Sequence, residues 1–173
     1  MSEPIKAGET APDFELEDHN GKPVRLSELK GRKVLLSFHP LAWTGVCSRQ
    51  MKSLEKNFGA FKKLDTVAFG VNIDSLPSKK AWAKDLELKK TQLLSDFWPH
   101  GAVAQKYGIF REKDGFSERA NILLDEEGKV IFSKVYDIGE LPDIDEILDL
   151  IRRKYEPPGE PSRGGGTNEG FRV

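Results

Sequence analysis

Apolar positions along this chain fall into runs that alternate between two periods. Val34, Leu35, Leu36 and Phe38 form a nearly unbroken apolar run, the mark of a strand buried on both faces. Cys47, Met51, Leu54, Phe58 and Phe61 follow at intervals of four, three, four and three, one face of a helix predicted to run to about Leu64. Thr66 to Ile73 repeats the buried-strand pattern and stops at the turn residues Asp74 and Ser75. Pro77 stands where a helix begins, and Trp82, Ala83 and Leu86 keep helical spacing as far as Leu88. Gln92 to Ser95 predicts a short strand, and His100 to Tyr107 a short helix stopped by Gly108.

Hairpins flank this alternation. Asn20-Gly21 joins the segments around Phe14-Glu15-Leu16 and Pro23 to Leu26, after which Ser27 to Leu29 makes a single helical turn closed by Gly31. Later, Glu118 to Asp125 and Lys129 to Phe132 predict a second hairpin around Glu126-Glu127-Gly128. A last helix, Asp143 to Tyr155, carries Ile144, Ile147, Leu148 and Ile151 on its buried face. Buried strands alternating with helices, plus an antiparallel pair, give an α/β class with a mixed central sheet flanked by helices on both faces. One domain is expected over residues 1–155. From Glu156 to Val173 the prolines Pro157, Pro158 and Pro161 and five glycines cannot build a core, so a disordered C-terminal tail is predicted. A further expectation is that this tail packs across a neighbouring subunit with Phe171 as its anchor.

Composition narrows the function classes. A chain of 173 residues is long enough for a full core without disulfides or metals. A net charge of −1, with both signs mixed throughout, argues against nucleic acid or an anionic membrane as partner. No apolar run approaches a membrane span, and Met1-Ser2-Glu3-Pro4 lacks a signal-like apolar stretch, so a cytoplasmic location is expected. One cysteine cannot make an intrachain disulfide, and three scattered histidines beside it make no metal cluster, so no metal and no cofactor are expected. Lys79, Lys80, Lys84, Lys89 and Lys90 read either as a solvated helix face or as a docking surface for an acidic partner.

The candidate chemistry lies at Pro40-Leu41-Ala42-Trp43-Thr44-Gly45-Val46-Cys47, between the buried strand and the long helix. With Thr44 or Gly45 as cap, Cys47 falls in or beside the first helical turn. Free backbone N–H groups and the positive end of the helix dipole favour a thiolate there. The alternative is a small buried hydrophobe without chemistry, the common fate of a cysteine on an apolar stripe. C-x-x-C is absent, since Cys47 is followed by Ser48-Arg49-Gln50, which argues against a dithiol oxidoreductase.

Pro40, Thr44 and Cys47 stand as P-x-x-x-T-x-x-C, which resembles the peroxidatic motif of peroxiredoxins. The resemblance covers roughly residues 8–152. Leu94-Ser95-Asp96-Phe97-Trp98-Pro99-His100-Gly101-Ala102-Val103 is similar to the one-cysteine alkyl hydroperoxide reductase E group. It implies a thioredoxin-like fold with an extra N-terminal β-hairpin, and a peroxidase acting on hydrogen peroxide and organic hydroperoxides, with peroxynitrite as a further candidate. Carried onto this chain, it makes Cys47 the peroxidatic nucleophile and Thr44 a hydroxyl that binds peroxide. Pro40 shields the thiolate, Arg119 holds sulfur and peroxide, and the N–H groups of Val46 and Cys47 complete the oxygen site. Trp43 stands where phenylalanine is usual and forms an aromatic wall; His39 is a further candidate for substrate contact or base. Without the motif, Arg119 beside Glu118 reads as a surface ion pair, Thr44 as a cap, and Trp98, Pro99 and His100 as a structural loop or subunit contact. The commonest in-helix resolving position, five residues after Cys47, is Lys52. The resemblance therefore implies regeneration by an external thiol, either a low-molecular-weight thiol or a glutaredoxin-, mycoredoxin- or thioredoxin-like protein. It also implies a homodimer or a larger assembly. The rival function is a non-catalytic binding module that keeps the fold with an inert cysteine.

Overall fold

The structure is a computed structural model and describes residues 3–155. The predicted tail from Glu156, with Phe171, lies outside the described residues.

The central sheet has the order β5-β4-β3-β8-β9. Its middle strand, β3 (Lys33–Phe38), is buried along its whole length, as its unbroken apolar run predicts. It pairs in parallel with β4 (Thr66–Asn72), which pairs in parallel with β5 (Gln92–Ser95). On the other side β3 pairs antiparallel with β8 (Arg119–Leu124), itself antiparallel to β9 (Val130–Tyr136). Alternate side chains of β3 enter two separate cores. Leu36 and Phe38 pack with Phe69, Val71, Leu94 and Tyr107 under the N-terminal hairpin β1 (Glu15–Glu17) and β2 (Pro23–Arg25) and the short helix α4 (Ala102–Lys106). Leu35 packs on the opposite face with Met51, Leu54, Phe61, Trp82, Ile147 and Ile151, contributed by four other helices.

Those helices are α1 (Gly45–Lys56), α2 (Phe58–Lys63), α3 (Leu76–Asp85) and α5 (Ile144–Tyr155). The long helix expected through Leu64 is two helices. Asn57 leaves helical geometry at φ −99° and ψ 11°, and its side-chain amide donates to the Ser53 carbonyl at 2.8 Å. An asparagine bonding its own backbone in this way competes with helix continuation. Phe61 stays buried beyond the break while Phe58 is only half-buried. Helix α3 also ends early, at Asp85, and Glu87 turns the chain with φ +57°. Helix α4 begins at Ala102 rather than His100, because Gly101 takes φ +67°. A small hairpin, β6 (Phe110–Arg111) and β7 (Phe116–Ser117), was not expected from the sequence.

One close approach sets the distance between α1 and the sheet. A Cβ built on Gly70 of β4 would overlap Met51 Sδ, and Leu93 Cδ2 would lie 2.8 Å away. Glycine at that position lets α1, four residues after its cysteine, lie directly on the sheet.

Candidate active site

Strand β3 ends at Phe38, and His39 and Pro40 continue inward, both buried. The chain then surfaces: Trp43 is 53% exposed and Thr44 and Gly45 are exposed. Trp43 has φ +70°, a backbone conformation uncommon for a non-glycine residue. Its indole N–H donates to Ser78 Oγ of α3 at 3.1 Å, which ties the turn down. Thr44 occupies the cap position of α1 but does not cap it; its hydroxyl donates to the Leu41 carbonyl at 2.9 Å. Cys47 is the third residue of α1, with no acidic side chain in that first turn to offset the dipole.

The Cys47 residue is 0% exposed and borders the apolar core of Leu35, Met51 and Leu54. Its sulfur is nonetheless not sealed in hydrocarbon. Arg119, 2% exposed at the start of β8, donates from Nη1 to Cys47 Sγ at 3.3 Å. The same Nη1 donates to Gln50 Oε1 at 2.7 Å. Nε and Nη2 donate to the Ile138 carbonyl at 3.0 and 2.7 Å, so each nitrogen of the guanidinium has a partner. Gln50 is fixed in turn, its Nε2 donating to Ser37 Oγ at 2.7 Å and to the Phe38 carbonyl at 3.1 Å. The planar guanidinium suits this task, since one rigid fork reaches a sulfur, an amide and a carbonyl together.

Arg119 makes no surface pair with its neighbour. Glu118 bonds Arg111 instead, at 3.4 Å. His39 also lies deep in the protein. Its Nδ1 faces the Ser37 carbonyl at 3.3 Å, its ring lies 5.4 Å from that of Trp82, and Nε2 has no partner among the described residues. Burial holds its pKa well below the ordinary value; nearby Lys79 acts the same way, the Ser37 contact opposes them, and Arg119 adds to the lowering. Burial thus favours the neutral imidazole, and no contact of His39 with the Cys47 sulfur is among those observed. Pro40 is buried where the chain turns, and half-buried Val46 sits in the first turn of α1 with its backbone N–H free of intrahelical bonding. Lys52 is exposed.

Two residues at the site were missed in the sequence. Gln50 lies three residues after Cys47, hence on the same face of α1, and that spacing is the signal that could have found it. Lys79 was grouped with a surface charge cluster; it is fully buried, whereas Lys80, Lys84, Lys89 and Lys90 are exposed. Its spacing from Trp82 and Ala83, three and four residues on, already placed it on the apolar face of α3. No helix among the described residues is long and apolar enough to cross a membrane.

Comparison with known proteins places this arrangement. The model of the AhpC/TSA family matches residues 7–133. Alkyl hydroperoxide reductase E of Mycobacterium tuberculosis H37Rv is 39% identical over 140 residues, covering 80% of this chain and 91% of that protein. Peroxiredoxin Bcp of Escherichia coli K12 is 34% identical over 134 residues, covering 73% and 83%. Among solved structures, the reduced 2-Cys peroxiredoxin of Plasmodium vivax superposes with a TM-score of 0.79 at 29% identity, covering 88% of this chain and 86% of that one. Peroxidoxin BcpB of Mycobacterium tuberculosis superposes with a TM-score of 0.76 at 26% identity, covering 86% and 97%. With the fold shared and a single cysteine in the sequence, the chain belongs to the AhpC/TSA family of peroxiredoxins and is a thiol-dependent peroxidase of the one-cysteine type.

Proposed function

We propose that Cys47 is the peroxidatic sulfur, that Arg119 is its principal partner in catalysis, and that Thr44, Pro40, Val46 and Trp43 shape the peroxide site. The observation that carries this reading is the 3.3 Å hydrogen bond from Arg119 Nη1 to Cys47 Sγ. A charge-assisted bond to a buried sulfur favours the anion, and the anion is the nucleophile.

The thiolate attacks one peroxide oxygen, forming an S–O bond as the O–O bond breaks. The other oxygen leaves as alkoxide or hydroxide and takes up a proton, giving alcohol or water. Sulfur is oxidised to a sulfenic acid and the peroxide is reduced. An ordinary thiol is a few per cent thiolate at neutral pH, so complete ionisation gains only about thirtyfold, or ~2 kcal/mol. Enzymes typically lower barriers by ~8 kcal/mol or more. Placement of the two oxygens against fixed donors must supply the larger share. Arg119 is one such donor, and the free N–H groups of Val46 and Cys47 are others. The Thr44 hydroxyl, held by Leu41 in the absence of peroxide, turns to the substrate when it enters. Since Cys47 is 0% exposed, entry requires the exposed Trp43–Gly45 segment to move aside, with Trp43 walling the opening and Pro40 keeping water off the sulfur.

The cycle closes through an outside thiol. A first thiol displaces water from the sulfenic acid to give a mixed disulfide, and a second attacks that disulfide, expelling Cys47 as thiolate and forming the disulfide of the two reductants. A low-molecular-weight thiol or a glutaredoxin-, mycoredoxin- or thioredoxin-like protein fits this role, in a cytoplasmic homodimer or larger assembly. Exposed Phe97 and Trp98, 50% and 79% accessible, support a contact between copies. Stopped-flow reaction of the reduced protein with hydrogen peroxide, an alkyl hydroperoxide and peroxynitrite tests the substrate range. Reaction no faster than that of free cysteine with all three would overturn the reading.

A further inference from the structure

Lys79 is 0% exposed and has no part in the chemistry described so far. Its Nζ donates to Asn72 Oδ1. Asn72 Nδ2 donates to Asp74 Oδ2 at 2.6 Å, and the same carboxylate oxygen accepts the Ala42 N–H at 2.8 Å. A continuous polar chain therefore runs from the buried ammonium to the backbone of the segment that carries Trp43 and Thr44. Helix α3 holds that region twice more, through Ser78 to the Trp43 indole at 3.1 Å and through the Trp82 indole to Ser48 Oγ at 3.3 Å.

We propose that Lys79 is a positioning residue of the peroxidatic site: its ammonium fixes the Asn72–Asp74 pair that holds Ala42, and its charge is a second cation supporting the Cys47 thiolate beside Arg119. This rests on Cys47 being the reacting sulfur. A buried lysine carries a large desolvation cost, and a polar chain ending on a catalytic segment gives that cost a purpose.

The groups around Lys79 set when it is charged. Burial lowers its pKa to about 7, against which Asp74, Asp96 and Cys47, from three different parts of the chain, each pull upward. His39 and half-buried His19 also face it; both are neutral-favoured by burial, and Lys79 lowers each further. Arg119 also lowers His39. The dependence is reciprocal: an anion at Cys47 favours the proton on Lys79, and that proton favours the anion. Peroxide reduction should therefore fall as Lys79 loses its proton above neutrality, even though thiolate alone would make it rise.

The test has two arms. In the first, the rate of hydrogen peroxide reduction is followed from pH 5.5 to 9 for wild type, Lys79→Met and Lys80→Met. Wild type and Lys80→Met are expected to show a declining limb with a midpoint near neutrality. Lys79→Met is expected to lack that limb and to react about tenfold more slowly at pH 6, through loss of the ammonium that fixes the Asn72–Asp74 pair. An identical limb in Lys79→Met overturns the proposal. In the second arm, lysine labelled with carbon-13 at Cε is titrated by NMR in wild type and Cys47→Ser, the Lys79 signal being the one lost in Lys79→Met. A midpoint near neutrality that moves lower in Cys47→Ser supports the proposal. A midpoint at the ordinary lysine value of ~10.4, or one indifferent to Cys47→Ser, overturns it. This arm needs no peroxide, and Lys79→Arg gives the same assignment if Lys79→Met fails to fold, so a failed Lys79 titration is distinguishable from an unreactive Cys47.

Discussion

Gln50 Oε1 and Cys47 Sγ share one nitrogen of Arg119, at 2.7 and 3.3 Å. The neutral amide takes the shorter contact and the sulfur the longer, while the Ile138 carbonyl fixes the rest of the guanidinium. The arginine is therefore held before peroxide arrives, and little reorganisation remains for the reaction itself.

Removing the guanidinium should cost more than thiolate. Arg119→Ala is expected to slow peroxide reduction by ~10²–10³, the loss typical of one oxyanion donor. Alkylation by iodoacetamide, which senses only the thiolate, should fall much less. Equal losses in the two reactions would show that Arg119 acts through ionisation alone. Arg119→Lys should not restore the rate, because a point charge cannot hold the Ile138 carbonyl and the sulfur together. Gln50→Ala should give a smaller loss, about three- to tenfold, since Ile138 still orients the arginine.

Gly70→Ala tests the seating of α1 on the sheet. The added methyl overlaps Met51 Sδ and crowds Leu93, so a loss of ~1–3 kcal/mol is expected on denaturant unfolding. A double substitution with Met51→Ala should recover part of it. An unchanged midpoint for Gly70→Ala would contradict the close approach.

Stability should rise with pH above neutrality. Lys79 titrates at about 7 in the folded protein and at ~10.4 in an unfolded chain. Between those values the unfolded chain holds a proton that the folded one has released, so stability increases with pH by up to ~1.4 kcal/mol per unit. Above pH 10 the slope reverses, because burial keeps Tyr107 and Tyr136 protonated in the folded protein while unfolded tyrosines ionise. Unfolding free energies at pH 7, 8 and 9 should show the rise in wild type and its loss in Lys79→Met. Parallel pH dependences would contradict it.

The sequence disclosed what depends on periodicity. The run from Val34 to Phe38 became the buried central strand, and the stripe Cys47, Met51, Leu54 and Phe61 became the face of α1 and α2 against the sheet. It did not disclose the break at Asn57, because the apolar spacing continues across it and only the side-chain bond to Ser53 reveals the interruption. The hairpin at 110–117 escaped because strands of two residues are too short to show alternation. Around the sulfur, the motif drew attention to Cys47, Thr44, Pro40 and Arg119, while the residues that fix their surroundings lay in plain helical register. Gln50 follows Cys47 by three positions, and Lys79 precedes Trp82 by three. A lysine among lysines reads as solvated surface until packing shows which one turns inward.

The central claim is that the buried sulfur of residue 47 carries the peroxide chemistry. Its most direct measurement is the intact mass of reduced protein after one equivalent of hydrogen peroxide, with dimedone present to trap sulfenic acid. The account predicts peroxide consumption within seconds and, once trapping is complete, one dimedone adduct, mapped to Cys47 and prevented when excess low-molecular-weight thiol competes for the sulfenic acid. An unmodified Cys47, or oxidation at the rate of an ordinary thiol, would contradict it.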